Sequence, residues 1–473
     1  MVSFRNDEIL RMSEISRDIY NIERKVGYIM NDVIVAKFGG SSLSDSGQFE
    51  KVRDIILADA RRRYIVPSAP GKRDVNDYKI TDILYLCQEH VQKGVPFDEV
   101  YRCVEERYTQ LCKDLNIDFD ILSYLKDLKE KIINGATKDY VASRGEYFNG
   151  LILAHYLGVP FVDAAEIIIF KKNGKLNEEA TYDAVRAKLS KIYKAVIPGF
   201  YGATMDGKIK TFSRGGSDIT GAIIAKSVGA IVYENWTDVS GFLMADPRIV
   251  DNPKHIEEIT YKELRELSYM GADVFHEEAI FPVKRDGIPT NIRNTNKPSD
   301  EGTYIINDNA EIKIRDITGI SGKKDFTVIA IEKTLMKREK GYFLRVLSIL
   351  ENNDVSFEHI PSGLDSLSLI IDDNELDDKL EKILEEIEKQ CSPDSLIVFP
   401  NMALIAVVGK GMIRTKGVSG KVFSALAKAE INIRMINQGS NELSIIVGIE
   451  NGDFENAIRA IYATFENSSN QKF

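Results

Sequence analysis

Residues 33–42, Val-Ile-Val-Ala-Lys-Phe-Gly-Gly-Ser-Ser, carry the strongest structural signal in the chain. The four apolar residues predict a buried strand, and the two glycines predict a tight turn soon after it. Such a turn lets backbone N–H groups approach phosphate oxygens while Lys37 supplies positive charge. Taken alone, the stretch fits a phosphate-binding loop and a plain glycine turn with a solvated lysine equally well.

Outside this stretch, apolar β-branched runs alternate with helical segments as far as residue 306; they lie at 64–66, 195–197, 230–233 and 290–292. The alternation predicts an α/β layered domain over residues 30–306. Residues 95–134 are rich in Leu, Ile, Lys, Asp and Glu, which predicts a mainly helical lobe. Residues 1–29 have no partner in this pattern, and we interpret them as an N-terminal extension, either an extra helix or an over-extended start.

The last third of the chain contains an internal repeat at a constant offset of 76 residues (404 minus 328). Val328-Ile-Ala-Ile331 matches Leu404-Ile-Ala-Val407 at this offset. Three further elements match at the same offset: 341–350 with 417–426, 355–357 with 431–433, and 367–370 with 443–446. Each copy predicts the order strand, helix, strand, strand, helix, which is the split βαβ or ferredoxin-like arrangement.

The second copy ends with a predicted helix at 454–465 and lacks a last strand. Residues 311–318 alternate between polar and apolar side chains and predict a strand that has no other obvious partner. We therefore expect this strand to complete the second copy. The first copy, 325–399, is then inserted within the second, which consists of 311–324 and 400–473.

The composition argues against several classes of function. The formal net charge of −10 argues against general nucleic-acid binding, and no apolar run is long enough to span a membrane. The N-terminus lacks the apolar core of a secretion signal. The four cysteines show no CxxC pair, so we expect buried free thiols in a reducing, cytoplasmic compartment. The five histidines are scattered, so we expect neither a histidine general base nor a metal-binding cluster.

Residues 202–208 resemble a P-loop, Gly-Ala-Thr-Met-Asp-Gly-Lys. However, Ile209 stands where a magnesium-binding Ser or Thr is needed, and Asp206-Gly207 between two strands is typical of a hairpin turn. We therefore predict a hairpin at this position.

Residues 211–218, Thr-Phe-Ser-Arg-Gly-Gly-Ser-Asp, precede a run of small residues that predicts a tightly packed helix. The glycines then lie at a helix N-terminus, where N–H groups and the helix dipole favour an anion. Arg214 adds a fork that fits a carboxylate. Asp218 is either a positioning or magnesium-side group or a plain helix cap.

Two other motifs carry weaker signals. Residues 236–241, Trp-Thr-Asp-Val-Ser-Gly, follow the run 230–233 and lead to Asp246-Pro-Arg248. Polar residues just past a parallel strand lie where open α/β sheets bind ligands, although a surface turn is the alternative. Ser143-Arg-Gly-Glu146 is expected to enter a helix, where Glu146 would be an ordinary first-turn charge.

Taken together and in order, these segments resemble the aspartate kinases of the amino acid kinase superfamily, and the repeated tail resembles a pair of ACT domains. The matching segments are 37–42, 68–71, 143–146, 199–202, 214–218, 237–241, 246–248 and 293–295. The resemblance implies a three-layer αβα catalytic domain followed by two ferredoxin-like ACT domains. It also implies phosphorylation of the side-chain carboxylate of L-aspartate with ATP and Mg²⁺, the first step of lysine, threonine and methionine biosynthesis.

The resemblance implies roles for individual residues. Lys37 and Asp218 would be catalytic. The residues that would bind aspartate are Ser41, Thr81, Glu146, Arg214, Gly215 and Ser217. The residues that would bind ATP are Lys37, Gly39, Gly40, Ser41, Thr237, Asp238, Asp246 and Arg248. The chain departs from many relatives at Gly271-Ala-Asp273, at His276-Glu277 and at Leu243, all near the expected nucleotide contacts.

The tail implies inhibition by lysine, threonine or both, bound in the first ACT copy. The implied effector-binding residues are Met336, Gly341, Tyr342, Phe343, Leu344, His359, Ser362 and Asp365. We expect at least one of the residues 342–344 to be plain core. Because small sheets expose an edge and a face, we also predict a homodimer or a dimer of dimers through the ACT domains.

Two other classes of function remain open at this point. One is another superfamily kinase, acting on glutamate or N-acetylglutamate, and the other is a non-catalytic amino-acid sensor. Retention of Lys37 weighs against a sensor, and residues 143–146 with the double tail favour aspartate. Because the chain ends after the second copy, we expect a monofunctional enzyme without a fused homoserine dehydrogenase.

Overall fold

The computed structural model describes residues 32–213, 215–271, 281–310, 315–439 and 442–469, with side chains as far as Glu466. The chain forms two compact units. The first unit contains the residues up to Phe242 and residues 276–309, and the second contains residues 243–275 and those from Ala310 onward.

Both units mix strands and α-helices, which are labelled in chain order. The strands are β1 (Ile34–Phe38), β2 (Arg62–Pro67), β3 (Ile169–Phe170), β4 (Ala195–Val196), β5 (Tyr201–Thr204), β6 (Ile209–Thr211), β7 (Val232–Thr237), β8 (Glu258–Thr260), β9 (Thr290–Asn294), β10 (Thr303–Ile306), β11 (Gly319–Glu332), β12 (Ser366–Asp372), β13 (Ser395–Val408), β14 (Met435–Gln438) and β15 (Ser444–Glu450). The helices are α1 (Ser46–Ala58), α2 (Ile80–Gln92), α3 (Asp98–Asp114), α4 (Ile121–Ile133), α5 (Lys138–Leu157), α6 (Glu178–Leu189), α7 (Gly216–Val228), α8 (Tyr261–Tyr269), α9 (Phe281–Asp286), α10 (Tyr342–Asn352), α11 (Asp373–Leu376), α12 (Leu380–Cys391), α13 (Val418–Lys428) and α14 (Phe454–Ser469).

The first unit is built around a parallel sheet with the strand order β4–β2–β1–β7–β9, to which β10 is added antiparallel. Every residue of β1 and β2 is buried, as expected for a parallel sheet covered on both faces. The predicted α/β layered fold is confirmed. Strand β7 begins and ends later than the apolar run 230–233 suggested, because its inner residues Glu234 and Asn235 are polar. Trp236 is therefore a core residue of β7 and does not follow the strand.

The helical lobe predicted for residues 95–134 is confirmed by α3 and α4, which pack with α2 and α5 around one apolar core. Tyr101 and Tyr108 of α3 are completely buried in it. Their hydroxyls donate to the carbonyl oxygens of Leu125 and Gly145, at 2.5 and 2.8 Å. Because a buried hydroxyl without an acceptor is destabilising, these bonds also fix how α3 sits on α4 and α5.

Glu234 of β7 is a buried carboxylate next to β1. Arg62 of β2 donates to it from Nε at 2.7 Å and from Nη2 at 3.0 Å, and Trp236 Nε1 donates at 2.8 Å. The Arg62 guanidinium also lies 5.2 Å from the centre of the Trp236 ring. Since a buried charge is stable only when paired, this network holds β2 and β7 in register on both sides of β1.

The second unit contains an antiparallel sheet with the order β12–β11–β13–β15–β14. Strands β11 and β13 each run for 14 residues and serve both repeat copies. Residues 319–323 of β11 pair with 404–408 of β13, and residues 326–332 of β11 pair with 395–402 and with β12. The first part of β11 therefore supplies the strand that the second copy lacks.

The prediction that residues 311–318 supply this strand was wrong. Residues 311–314 lie outside the described residues, and 315–318 form no strand. The strand that pairs with β13 contains Gly319 and Gly322 instead of an alternating pattern. A Cβ at Gly322 would lie 2.6 Å from the Leu404 carbonyl oxygen, so the close approach of the two strands requires glycine.

The short strands predicted at 355–357 and 431–433 are also absent. In both copies the first residue of this stretch closes the preceding helix instead. Val355 N–H donates to Leu350 O and Ile431 N–H donates to Leu426 O, both at 3.0 Å. The second copy forms its strand later, as β14, while His359 and Ser362 of the first copy make only isolated bridges to β12.

Smaller predictions had mixed outcomes. The hairpin at 202–208 is confirmed, because β5 and β6 pair antiparallel on either side of it. The expectation that all cysteines are buried was wrong: Cys103 is exposed on α3, while Cys87, Cys112 and Cys391 are buried. In the part of the chain that the structure describes, no helix combines the length and hydrophobicity that a membrane crossing requires.

Candidate active site

Two predicted catalytic residues, Lys37 of β1 and Asp218 of α7, meet beside the carboxyl ends of β1 and β7. Lys37 of β1 and Asn235 of β7 face each other across the parallel pair. Lys37 Nζ lies 2.6 Å from Asp218 Oδ1 and 3.4 Å from Asn235 Oδ1, and Asn235 Nδ2 donates to Asp218 Oδ1 at 2.7 Å. Lys37 is only 7% exposed. Oxygens of Asp218 and Asn235 thus accept from two of the three N–H groups of the ammonium. These two contacts fix the position of the charge.

The glycine turn after β1 is held on two sides. Gly39 N–H donates to the Trp236 carbonyl oxygen at 2.9 Å, and the Gly40 carbonyl oxygen accepts from Gly71 N–H at 2.8 Å. A Cβ at Gly71 would lie 2.6 Å from the Gly40 carbonyl carbon, so only glycine fits. Residues 40–43 form a 3-10 turn. The amides of Gly40 and Ser41 open this turn, where intrahelical acceptors are missing, and such amides bind anions.

The N-terminus of α7 provides the third side of the site. Asp218 lies in the first turn of this helix, which follows Gly215. The Asp218 side chain bonds Lys37 and Asn235 and does not cap the helix, so the helix-cap interpretation is wrong. Thr220 anchors this end of α7: its hydroxyl accepts from Phe200 N–H at 3.1 Å and donates to the Gly216 carbonyl oxygen at 2.9 Å. Ser217 is buried here, and Arg214 lies outside the described residues.

The sequence suggested that Glu146 lies in the first turn of a helix. The structure places it further along the helix. Helix α5 begins at Lys138 with Thr137 as its cap, so Glu146 lies in the middle of the helix, 5% exposed. Burial raises the pKa of its carboxyl from 4.5 to about 8, although the Ala69 N–H bond and the charge of Arg144 lower it. Its Oε2 has no hydrogen-bond partner among the described residues. A buried carboxylate with one open oxygen is suited to a ligand cation.

Residues 68–71 connect Glu146 to the glycine turn. Ala69 donates to Glu146 and Gly71 donates to Gly40. The Ser68 carbonyl oxygen accepts from Asn149 Nδ2 of α5 at 2.6 Å. Residues 68–71 therefore link the buried carboxyl of Glu146 to the glycine turn. Thr81 lies nearby in sequence, half-buried in the first turn of α2.

The predicted nucleotide-binding residues divide between the two units. In the first unit, Thr237 ends β7, its hydroxyl donates to Asp238 Oδ1 at 3.1 Å, and its carbonyl oxygen accepts from Thr295 N–H at 2.8 Å. Asp246 and Arg248 belong to the second unit. They pair with each other at 2.6 Å, and the Arg248 side chain is 87% exposed.

Comparisons with known proteins show the family of this chain. The sequence profile of the amino acid kinase family matches residues 32–294, and an ACT-domain profile matches residues 405–465. Aspartokinase 3 of Bacillus subtilis is 38% identical over 449 residues, which cover 91% of this chain and 98% of that protein. The chain belongs to the aspartokinase family.

Two further relatives support this membership. The crystal structure of Clostridium acetobutylicum aspartate kinase is 60% identical, with a TM-score of 0.88, and the match covers 92% of this chain and 100% of that one. Lysine-sensitive aspartokinase 3 of Escherichia coli is 26% identical over 470 residues, covering 92% of this chain and 99% of that protein. The protein is therefore an enzyme, a kinase with ACT domains C-terminal to its catalytic domain.

In this aspartokinase, the residues expected to bind an effector lie in the first repeat copy, in two groups. Met336 and Tyr342 are core residues, each 1% exposed, whereas Phe343 and Leu344 are exposed on α10, which follows Gly341. The Tyr342 hydroxyl has no partner among the described residues. The expectation that at least one of the residues 342–344 is core is thus confirmed.

The other group lies beside β12. The Asp365 carbonyl oxygen accepts from Lys333 N–H at 2.9 Å, and Ser362 bridges to Leu367. His359 Nδ1 lies 3.1 Å from Asn437 Nδ2 of the second copy. Burial lowers the pKa of His359, although the neighbouring charges of Glu358 and Glu266 raise it.

The sequence interpretation missed the role of Asn235, which orients both Lys37 and Asp218. A signal was present, because a polar residue inside a buried strand of a parallel sheet is unusual and marks a site. It also missed Ser42, whose hydroxyl lies 2.7 Å from that of Thr295 and so joins the glycine turn to the end of β9.

Proposed function

We propose that this aspartokinase transfers the γ-phosphoryl group of ATP to the side-chain carboxylate of L-aspartate and forms 4-phospho-L-aspartate, the first step of lysine, threonine and methionine biosynthesis. One observation carries the proposal: a buried Glu146 with an open oxygen is joined through residues 69–71 to the turn that lies beside the Lys37–Asp218–Asn235 network. Glu146 suits the α-ammonium of an amino acid, and the turn suits phosphate.

Lys37 carries the charge that stabilises the transferring phosphoryl group. Phosphoryl transfer depends mainly on positioning and on charge stabilisation, and the 2.6 Å contact with Asp218 fixes the Lys37 ammonium. The turn formed by Gly39, Gly40 and Ser41 receives phosphate oxygens through the amides of Gly40 and Ser41, since the Gly39 amide already donates to Trp236. Asp218 serves as the second catalytic residue by holding Lys37 in place.

The attacking group needs no base from the protein. The side-chain carboxylate of aspartate has an ordinary pKa of about 3.9 and is ionised at neutral pH. The protein must instead bring two anions together. On the substrate side this role falls to Glu146 and Thr81 together with Ser41, Gly215 and Ser217; Arg214, outside the described residues, is the proposed partner of the α-carboxylate.

Mg²⁺ supplies positive charge between the phosphates when it is bound. Such an ion is usually held by substrate phosphates together with one or two carboxylates. Asp218 is the carboxylate nearest to Lys37 and can serve as that oxygen donor. Thr237 and Asp238 of the first unit are the proposed contacts of the nucleotide.

The tail is proposed to regulate the enzyme. We assign residues 30–306 to the catalytic domain, 325–399 to the first ACT domain, and 311–324 with 400–473 to the second. Lysine, alone or with threonine, binds the first ACT domain and favours a less active state; the lysine-sensitive E. coli relative supports this choice. Pairing of ACT domains between chains gives a homodimer or a dimer of dimers in the cytoplasm.

The substrate is tested by trapping the product. The protein is incubated with ATP, Mg²⁺ and hydroxylamine, which converts an acyl phosphate to a hydroxamate. Aspartate, glutamate and N-acetylglutamate are compared. A hydroxamate formed from aspartate alone supports the proposal, and one formed preferentially from glutamate or N-acetylglutamate would overturn it.

A further inference from the structure

The segment between Gly71 and α2, residues 72–79, is held by an ion pair that the proposed reaction does not use. Asp77 pairs with Arg107 of α3 and with Arg73, whose Nε lies 2.9 Å away. The Arg107 and Asp77 side chains are 6% and 11% exposed. We call Arg73, Asp77 and Arg107 the Asp77 clamp.

Arg107 reaches the phosphate-binding turn from the clamp. While one terminal nitrogen pairs with Asp77, the other donates to the Gly71 carbonyl oxygen at 3.1 Å. Gly71 in turn donates to the Gly40 carbonyl oxygen at 2.8 Å and packs against Gly40 too closely for any side chain. A chain of direct contacts thus runs from the Arg107 guanidinium to the backbone of the turn.

The other end of the segment is held independently. Ile80 begins α2, is completely buried, and lies against Gly145 of α5. Thr81 therefore keeps its position through the packing of α2, whether or not the clamp is intact. The clamp is consequently expected to act mainly on the glycine turn, which Gly71 contacts directly, because Thr81 is held by α2 and Glu146 lies in the middle of α5.

The charges of the clamp are stable at neutral pH. Burial raises the pKa of Asp77, but hydrogen bonds from Arg73 and the charge of Arg107 outweigh it and hold the pKa well below its usual range. An arginine fork can hold a carboxylate and a carbonyl at once, which a lysine ammonium on a single stem does less well. Arg107 is thus suited to this double contact.

We propose that Arg107 is a positioning residue for phosphoryl transfer, which sets the glycine turn through Gly71 and uses Asp77 to keep its own guanidinium in place. Rates fall by up to about a hundredfold when a reacting group is misplaced by about 1 Å. The kinetic part of this inference rests on the proposed function, whereas the state of the segment can be measured without activity.

The test uses Asp77→Asn and Arg107→Lys, with Asp74→Asn as the matched control on the exposed part of the same segment. Both clamp variants should lower kcat at least tenfold, with Arg107→Lys the milder, and change the KM for aspartate less than twofold. Trypsin should cleave faster after Lys72, Arg73 or Lys79 in these variants, since the segment is released. The control should match the wild type in kinetics and cleavage.

Each other outcome has a defined meaning. Faster cleavage with an unchanged kcat would overturn the inference, because the segment would be held without positioning the turn. A rise in the KM for aspartate as large as the fall in kcat would overturn it as well. If Asp77→Asn does not fold, Arg107→Lys decides alone. A wild type without kinase activity refutes the proposed function, while equal trypsin cleavage in all variants refutes the clamp.

Discussion

Replacing Glu146 by glutamine should stabilise the ligand-free protein, by an amount that grows with pH. In the fold, burial raises the pKa of this carboxyl to about 8, compared with 4.5 for the exposed group. Folding therefore takes up a proton between these two values. The stability that the group contributes is fully present below pH 4.5, falls as the pH rises, and is lost above about pH 8. Glutamine cannot ionise, so the variant lacks this loss.

The size of the effect follows from the two pKa values. At about 1.36 kcal/mol for each pH unit, the difference between 4.5 and about 8 corresponds to at most about 5 kcal/mol. Urea unfolding followed by circular dichroism at pH 5, 6.5 and 8 measures it. The free energy of unfolding of Glu146→Gln relative to the wild type should rise steadily across this series. The exposed change Glu179→Gln is the control and should show no such trend.

Bound aspartate should reduce the loss of stability that the wild type shows as the pH rises. Its ammonium group stabilises the ionised Glu146, so binding releases a proton near neutral pH. The variant loses one charge-assisted hydrogen bond of about 1.5–3 kcal/mol, which predicts a KM for aspartate about 10- to 100-fold higher. A stability difference that does not change with pH, or an unchanged KM, would refute the assignment of Glu146 as the buried cation partner.

Three further changes test other parts of the protein. Lys37→Ala should lower kcat by at least a hundredfold and raise the KM for aspartate little, because the charge acts mainly in the transition state; near-normal turnover would contradict its role. Gly71→Ala should lower kcat and also lower the thermal unfolding temperature, since a Cβ there would lie 2.6 Å from the Gly40 backbone; an unchanged kcat would contradict the close packing of the turn. Asp365→Ala should weaken inhibition by lysine while leaving uninhibited turnover intact, and equal inhibition in both proteins at millimolar lysine would speak against the proposed effector site.

The parts of the fold that were predictable are those with local causes. Strand β1 and its glycine turn are visible in the sequence as an apolar run followed by two glycines. The position of Glu146 was not predictable in this way, because α5 is buried on nearly all sides and shows little amphipathic periodicity that would fix its start. The residue that caps α5, Thr137, lies well before the motif at 143–146.

Long-range contacts explain most of what was missed. Asn235 meets Lys37 across 198 residues of sequence, and Arg107 meets Gly71 across 36. No periodicity links such positions, since the contact exists only after strands and helices have packed. The part of β11 around Gly322 was missed for a related reason. Glycine is required there by the close approach of the partner strand β13, and the local sequence pattern does not show this.

The two long strands of the second unit have a consequence for how this part of the protein folds. Because β11 and β13 each pass through both repeat copies, cutting the chain between the copies would divide a strand in its middle and leave unpaired backbone on both fragments. Neither copy has a complete sheet without the other. The pair should therefore fold and unfold as one cooperative unit, and a fragment that carries a single copy should be aggregation-prone through its exposed strand edges.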